Sequence, residues 1–224
     1  MSGRLIVFEG IDGSGKTIQT ALFADRLRAS GQTVSTHSFP NYDTVYGRAI
    51  AGGLHGRGVN FRSVDPKLVS LFFMADRGLA VPGIRRSLLT GTTVLCNRYV
   101  ASNVAYQGAR IDDETKRRRF TVWAERTEYT DLGHPKPDLV LFLDVPPDVS
   151  AKLRQTRKRA EDGYEADLAF QGRVSAIYRT MAESQKTWSV IRCTDEAGAI
   201  LPPERIHEAI WALVEPMLAA RSAV

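Results

Sequence analysis

A chain of 224 residues with 43% hydrophobic and 25% charged side chains has the make-up of one globular domain with a sizeable core. No apolar run reaches the ~18 residues that a membrane-spanning helix needs, and the N-terminus reads as a strand, without the apolar region and cleavage site of a signal peptide. A net charge of +5, carried by 23 arginines and only 7 lysines, suits polyanionic ligands but does not separate nucleotides from nucleic acid.

The first predicted strand, 3–9, runs directly into Gly10-Ile11-Asp12-Gly13-Ser14-Gly15-Lys16-Thr17, a full match to G-x-x-x-x-G-K-[ST]. Glycines let such a loop curl so that successive N–H groups face an anion. Lys16 is placed to reach the β- and γ-phosphates, and the Thr17 hydroxyl to ligate Mg²⁺. The helix expected at 15–30 adds the positive end of its dipole. The loop therefore points to a phosphate-bearing ligand with Mg²⁺.

A strand at 33–39 follows, then Phe39-Pro40-Asn41-Tyr42 and helices at 44–55 and 65–90. The long helix carries Phe72-Phe73-Met74-Ala75-Asp76-Arg77. A strand at 92–97 ends in Asn97-Arg98-Tyr99, and a helix at 100–109 begins at once. Arg98, just past a core strand, is placed to hold a second phosphate with both guanidinium arms. Asn103 and Gln107 share one helix face, where amides suit the edge of a nucleobase. The helix at 112–132 includes Arg117-Arg118-Arg119, read as a solvated face.

A strand at 138–144 leads to a helix at 147–157 and to a polar segment, 154–165, read as a lid over the site. A helix at 167–186, a strand at 188–193 and a helix at 203–220 complete the pattern. Both cysteines, Cys96 and Cys193, fall in predicted strands, which fits unpaired thiols in a reducing cytoplasm. Strands that alternate with helices and are apolar on both faces imply a parallel sheet covered on two sides. Ligands of such sheets bind at the carboxyl ends of the strands, which singles out the loops 10–17, 40–43, 97–107 and 145–165.

Five blocks, taken in order, resemble the thymidylate kinase family of P-loop nucleoside monophosphate kinases. They are Phe8 through Thr17, Phe39-Pro40-Asn41-Tyr42, Phe72 through Arg77, Asn97 through Gln107, and Pro135-Lys136-Pro137-Asp138 with the strand ending Leu143-Asp144-Val145-Pro146. The resemblance implies an α/β, three-layer P-loop kinase fold over residues 1–224, with a five-stranded parallel sheet flanked by helices and a short lid. It implies transfer of the ATP γ-phosphate to dTMP, and a homodimer packed through the helix at 65–90, with neither nucleic acid nor membrane as partner.

By the same resemblance, Phe73 stacks on the base, Arg77 and Asn103 read its edge, and Arg98 grips the acceptor phosphate. Tyr106 fills the space of a ribose 2′-hydroxyl, Phe39 and Tyr42 line the acceptor site, and Asp12 approaches the acceptor sugar or the metal shell. The loop positions Ile11 to Ser14 hold no arginine, whereas the lid holds Arg154, Arg157 and Arg159, so the chain resembles the lid-arginine type without singling out one of the three. Asp162, Tyr164 and Glu165 follow, where the family places an acidic residue near the acceptor and Mg²⁺. One departure stands out: Asn97 occupies the position of the family's usual Asp. It keeps an acceptor oxygen and loses the charge. That leaves open a kinase for another deoxynucleotide, such as dUMP or a modified pyrimidine monophosphate, or a non-catalytic nucleotide-binding relative.

Overall fold

The computed structural model describes residues 3–57, 59–155 and 164–219. Five strands, β1 (Leu5–Glu9), β2 (Val34–Ser38), β3 (Thr93–Asn97), β4 (Leu139–Asp144) and β5 (Trp188–Arg192), form one sheet in the order β2-β3-β1-β4-β5. Every pairing is parallel, as the alternating pattern implied. β1 sits at the centre and is buried along its whole length, while the edge strands β2 and β5 are partly exposed. An outer strand needs apolar side chains only where a helix covers it, so β5 leaves Val190 in solvent.

The helices are α1 (Lys16–Ala29), α2 (Val45–Leu54), α3 (Pro66–Leu89), α4 (Val100–Gly108), α5 (Glu114–Arg126), α6 (Pro147–Gln155), α7 (Leu168–Ser184) and α8 (Pro203–Ala219). Alternation along β1 divides the core. Leu5 and Val7 join the cluster under α3, α4, α5 and α7, whereas Ile6 and Phe8 join the cluster under α1 and α8. Short polar side chains fix the helix starts: Thr44, Asp65, Asp113 and Asp167 each accept a backbone N–H of the first turn.

Two local features depart from the sequence reading. A 3₁₀ turn, Phe61–Ser63, buries Phe61 beneath α2. The helix expected over 112–132 is α-helical only to Arg126 and continues as a π-helical turn, Thr127–Asp131. The wider turn rotates the following residues and carries Glu128 fully inside.

Phe23 of α1 is a sensitive point of the α1/α8 layer. Its ring packs 5.8 Å from both Phe8 and Trp211 and has no solvent exposure. Phe23→Ala is expected to lower stability by about 3–5 kcal/mol, read as a fall in the urea midpoint with an unchanged slope.

Candidate active site

The β1–α1 loop is shaped by three glycines with positive φ: Gly10 at 146°, Gly13 at 86° and Gly15 at 87°. A Cβ on Gly13 would meet Ser150 Oγ at 2.7 Å and Ser150 O at 2.9 Å, so α6 packs against this loop at a distance only glycine allows. The Lys16 ammonium donates to the carbonyls of Gly10 at 3.0 Å and Ile11 at 2.7 Å. The cation is thus held over the loop it serves.

Opposite stands the end of β3. Asn97 Nδ2 donates to Thr17 Oγ1 at 3.1 Å, and Asn97 Oδ1, shielded from solvent, has no partner among the described residues. Arg98 has φ of 68°, a left-handed conformation that is uncommon for a non-glycine residue and here marks the site. Its guanidinium donates to Ser102 Oγ at 3.1 Å and Tyr106 Oη at 3.2 Å, and it forms an ion pair with Asp12. The second oxygen of Asp12 accepts from Tyr106 Oη at 2.6 Å and Gln171 Nε2 at 3.0 Å.

From the lid side, Arg154 Nη1 donates to the Asp12 carbonyl at 2.9 Å and Nη2 to the Glu165 carbonyl at 2.7 Å. Arg154, Tyr164 and Glu165 are all buried. Arg157, Arg159 and Asp162 lie outside the described residues.

Of these groups, Asp12, Lys16, Thr17, Asn97, Arg98, Tyr106, Tyr164 and Glu165 line one cleft of about 340 Å³, whereas Arg154 and Gln171 stand behind its wall. Lys16, Thr17, Asn97 and Arg98 stand on the loop side, and Phe73, Arg77 and Asn103 also line it. Phe39, Tyr42, Tyr106, Gln107, Tyr164 and Glu165 complete the walls. The two adjacent phenylalanines of α3 divide the work expected of them: Phe73 lines the cleft, whereas Phe72 packs 5.3 Å from Phe61. Arg77 is almost fully buried, and its Nε donates to Glu128 Oε2 at 2.8 Å while Nη2 reaches Oε1. Asn103 Nδ2 donates to the same Oε1 at 3.2 Å and to Ser70 O at 3.4 Å. Gln107 Oε1 accepts from Arg110 at 2.7 Å.

Several functional-looking residues escaped the sequence reading. Asp76 accepts from Asn41 N at 2.8 Å and Thr44 Oγ1 at 2.6 Å, and so holds the Pro40–Tyr42 wall. Gln171 reaches Asp12 from α7, and Glu128 with His134 stands behind Arg77. Only their position after folding reveals them, since each is a single polar residue on a helix or turn.

The thymidylate kinase family model matches residues 8–201. The chain is 35% identical over 212 residues to the thymidylate kinase of Mycobacterium tuberculosis, covering 89% of this chain and 98% of that one. It is 32% identical over 217 residues to the thymidylate kinase of Homo sapiens, with 95% and 90% covered. A solved structure of thymidylate kinase from Candida albicans superimposes with a TM-score of 0.75 at 24% identity, over 96% of this chain and 92% of that one, a likeness of fold.

Burial raises the Asp12 carboxyl, but the charges of Arg98 and Lys16 and the bonds from Tyr106 and Gln171 outweigh it and hold the group at about 2, below its ordinary 3.8. A folded-state value below the unfolded one stabilises the fold above the unfolded value, and the contribution is lost as pH falls through the folded value. Asp12→Asn is expected to be less stable than wild type by about 2 kcal/mol at neutral pH. The gap should close between about pH 4 and pH 2, as stepwise denaturant unfolding would show.

Proposed function

This chain belongs to the thymidylate kinase family and transfers the γ-phosphate of ATP to dTMP with Mg²⁺, and we propose that it does so in the cleft between the Gly10–Thr17 loop and α3. One observation carries the placement. A phosphate-shaped loop with Lys16, a second guanidinium at Arg98, and the Phe73 ring with the Asn103 amide all line one space.

The reaction joins a phosphate oxygen of dTMP to the γ-phosphorus and breaks that atom's bond to the β–γ bridging oxygen, releasing ADP. The attacking oxygen is already ionised near neutral pH, so the protein's task is positioning and charge stabilisation. The loop N–H groups and Lys16 take the β- and γ-phosphates. Arg98, shared at rest among Asp12, Ser102 and Tyr106, turns to the acceptor phosphate. Both oxygens of Asp12 are committed to Arg98, Tyr106 and Gln171, so we assign Asp12 to orienting Arg98 and not to the metal shell. Arg154 joins the phosphate loop to the lid at Glu165, and we assign it the lid-arginine role.

The donor set suits Mg²⁺: the Thr17 hydroxyl lies beside the unpartnered Asn97 Oδ1, and Glu165 lines the same cleft. Among the described residues no cluster of three His, Cys, Asp or Glu is placed to hold a metal, which fits an ion held chiefly by phosphates and water. Bound with the nucleotide, Mg²⁺ supplies charge neutralisation across the phosphates. On the acceptor side, Phe73 offers a stacking face, Arg77 and Asn103 meet the base edge, and Tyr106 excludes a 2′-hydroxyl.

The family's homodimer also suits this chain. α3 leaves Leu68, Leu71, Phe72 and Leu79 exposed, a stripe at helical spacing that a second copy would cover. Among the described residues no helix is long and apolar enough to cross a membrane. Both cysteines are free and buried, and burial with the Asp144 charge pushes Cys193 up to about 12. We read the protein as a single kinase domain of the cytoplasm.

A coupled ADP-release assay with dTMP, dUMP, dCMP and dGMP tests the activity, and turnover greatest with dTMP is expected. Arg98→Ala is expected to raise the KM for dTMP about ten- to a hundredfold and that for ATP far less, since one charge-assisted contact is worth about 1.5–3 kcal/mol. Equal losses for both nucleotides would place Arg98 elsewhere. In Asn97→Asp, the Thr17 hydroxyl becomes donor to a carboxylate, which frees its lone pairs and adds a negative charge. Half-saturation should then occur at lower Mg²⁺, with kcat for dTMP raised.

A further inference from the structure

We infer that Glu128, backed by His134, is a positioning residue that sets base specificity by locking the polarity with which Arg77 and Asn103 face the acceptor pocket. The inference rests on the reading above that these two side chains meet the base.

Glu128 is fully buried, and its two oxygens receive four donors. Oε1 accepts from Arg77 Nη2 and from Asn103 Nδ2 at 3.2 Å, and Oε2 accepts from Arg77 Nε at 2.8 Å and pairs with His134 Nδ1 at 2.8 Å. A carboxylate has about four lone-pair sites, so the group is saturated. Burial raises its pKa, but Arg77 and His134 outweigh that and hold it at about 2, so it stays anionic at any working pH. The π-helical turn carries the carboxylate to this place.

The consequence falls on Asn103. Its amide has one donor end and one acceptor end, and both groups beneath it, Glu128 Oε1 and Ser70 O, accept only. Turning the amide over would set its oxygen against a full negative charge. Nδ2 must therefore point to Glu128, and Oδ1 of this cleft-lining side chain is left buried and without a partner among the described residues. An unpaired buried acceptor is costly, so the pocket favours a ligand edge that donates.

Arg77 is locked in the opposite sense. Nε and Nη2 are taken by Glu128, and Nη1 is left to donate toward an acceptor. One acceptor beside one donor matches the N3–H and O4 of thymine or uracil. It opposes cytosine, which shows an acceptor at N3 and a donor at N4.

Glu128→Gln keeps the shape, removes the charge and lets a carboxamide N–H face Asn103, so the amide is free to turn. Steady-state kinetics with dTMP and dCMP, beside thermal melting, test the lock. The expected result is a KM for dTMP raised about tenfold or more and a dTMP-over-dCMP preference in kcat/KM reduced at least about tenfold, with the KM for ATP unchanged. Asn103→Ala serves as the control for the underlying reading. If Asn103→Ala relaxes the preference while folded Glu128→Gln retains it, the lock is overturned and the base contact stands. If neither variant changes the preference, the base reading itself falls. Should Glu128→Gln fail to fold, Glu128→Gln combined with His134→Gln decides, because the second amide offers the first a neutral partner that can donate or accept. A loss of preference of about tenfold or more supports the lock, and an unchanged preference overturns it.

Discussion

Glu9 ties the ends of β1 and β3 together, and the site hangs from that knot. Its buried carboxylate accepts from Tyr99 N at 2.8 Å, Ser102 N at 3.2 Å, Ser102 Oγ at 2.6 Å and Tyr178 Oη at 2.9 Å. A buried charge without such partners would cost far more than one packing contact, so the four donors are held where they are. They belong to the first turns of α4 and to α7, while Glu9 itself opens the phosphate loop. The chain between them, at Arg98, is pressed into a left-handed turn that sends the guanidinium back across the loop. One carboxylate thus fixes the Gly10–Thr17 loop and Arg98 in a common frame.

Arg77 and Arg98, the two arginines we propose for the acceptor side, are held by different means, which suits different tasks. Arg77 is clamped on two nitrogens in the interior and cannot move without unpairing Glu128. Arg98 is partly exposed, and its hydroxyl and carboxylate partners are ones that a phosphate can replace in kind. A base must be recognised by rigid polarity, because a mobile reader would fit either pattern. A phosphate must be gripped by a group whose resting partner is exchangeable, since a fully saturated arginine has no free fork to offer.

Much of this was legible in the sequence, for identifiable reasons. Strand and helix positions followed from apolar periodicity, and the observed bounds of α1, α2, α3 and β1 to β5 lie within a residue or two of the expected ones. The phosphate loop was legible because its chemistry needs contiguous backbone. Phe39, Phe73, Arg77, Arg98, Asn103 and Tyr106 were named because they sit in compact blocks, and folding brings them to one cleft. The supporting groups were not legible. Glu128 looks like one more charge on a charged helix, and only the π turn turns it inward. Asp76 and Gln171 act through residues 32 to 159 positions away, a separation no local pattern encodes.

Asn97 takes its meaning from this distribution of charge. At the loop side of the cleft, Asp12 already answers Arg98, and the backbone of Asp12 and Glu165 answers Arg154. A carboxylate at position 97 would add an anion beside Thr17, where ATP brings several negative charges of its own. The amide removes that repulsion and keeps one oxygen, unpartnered and shielded, within the same corner. It also donates to the Thr17 hydroxyl, which a carboxylate cannot do. Relative to a carboxylate, the amide would therefore trade metal binding through charge for weaker repulsion of phosphate.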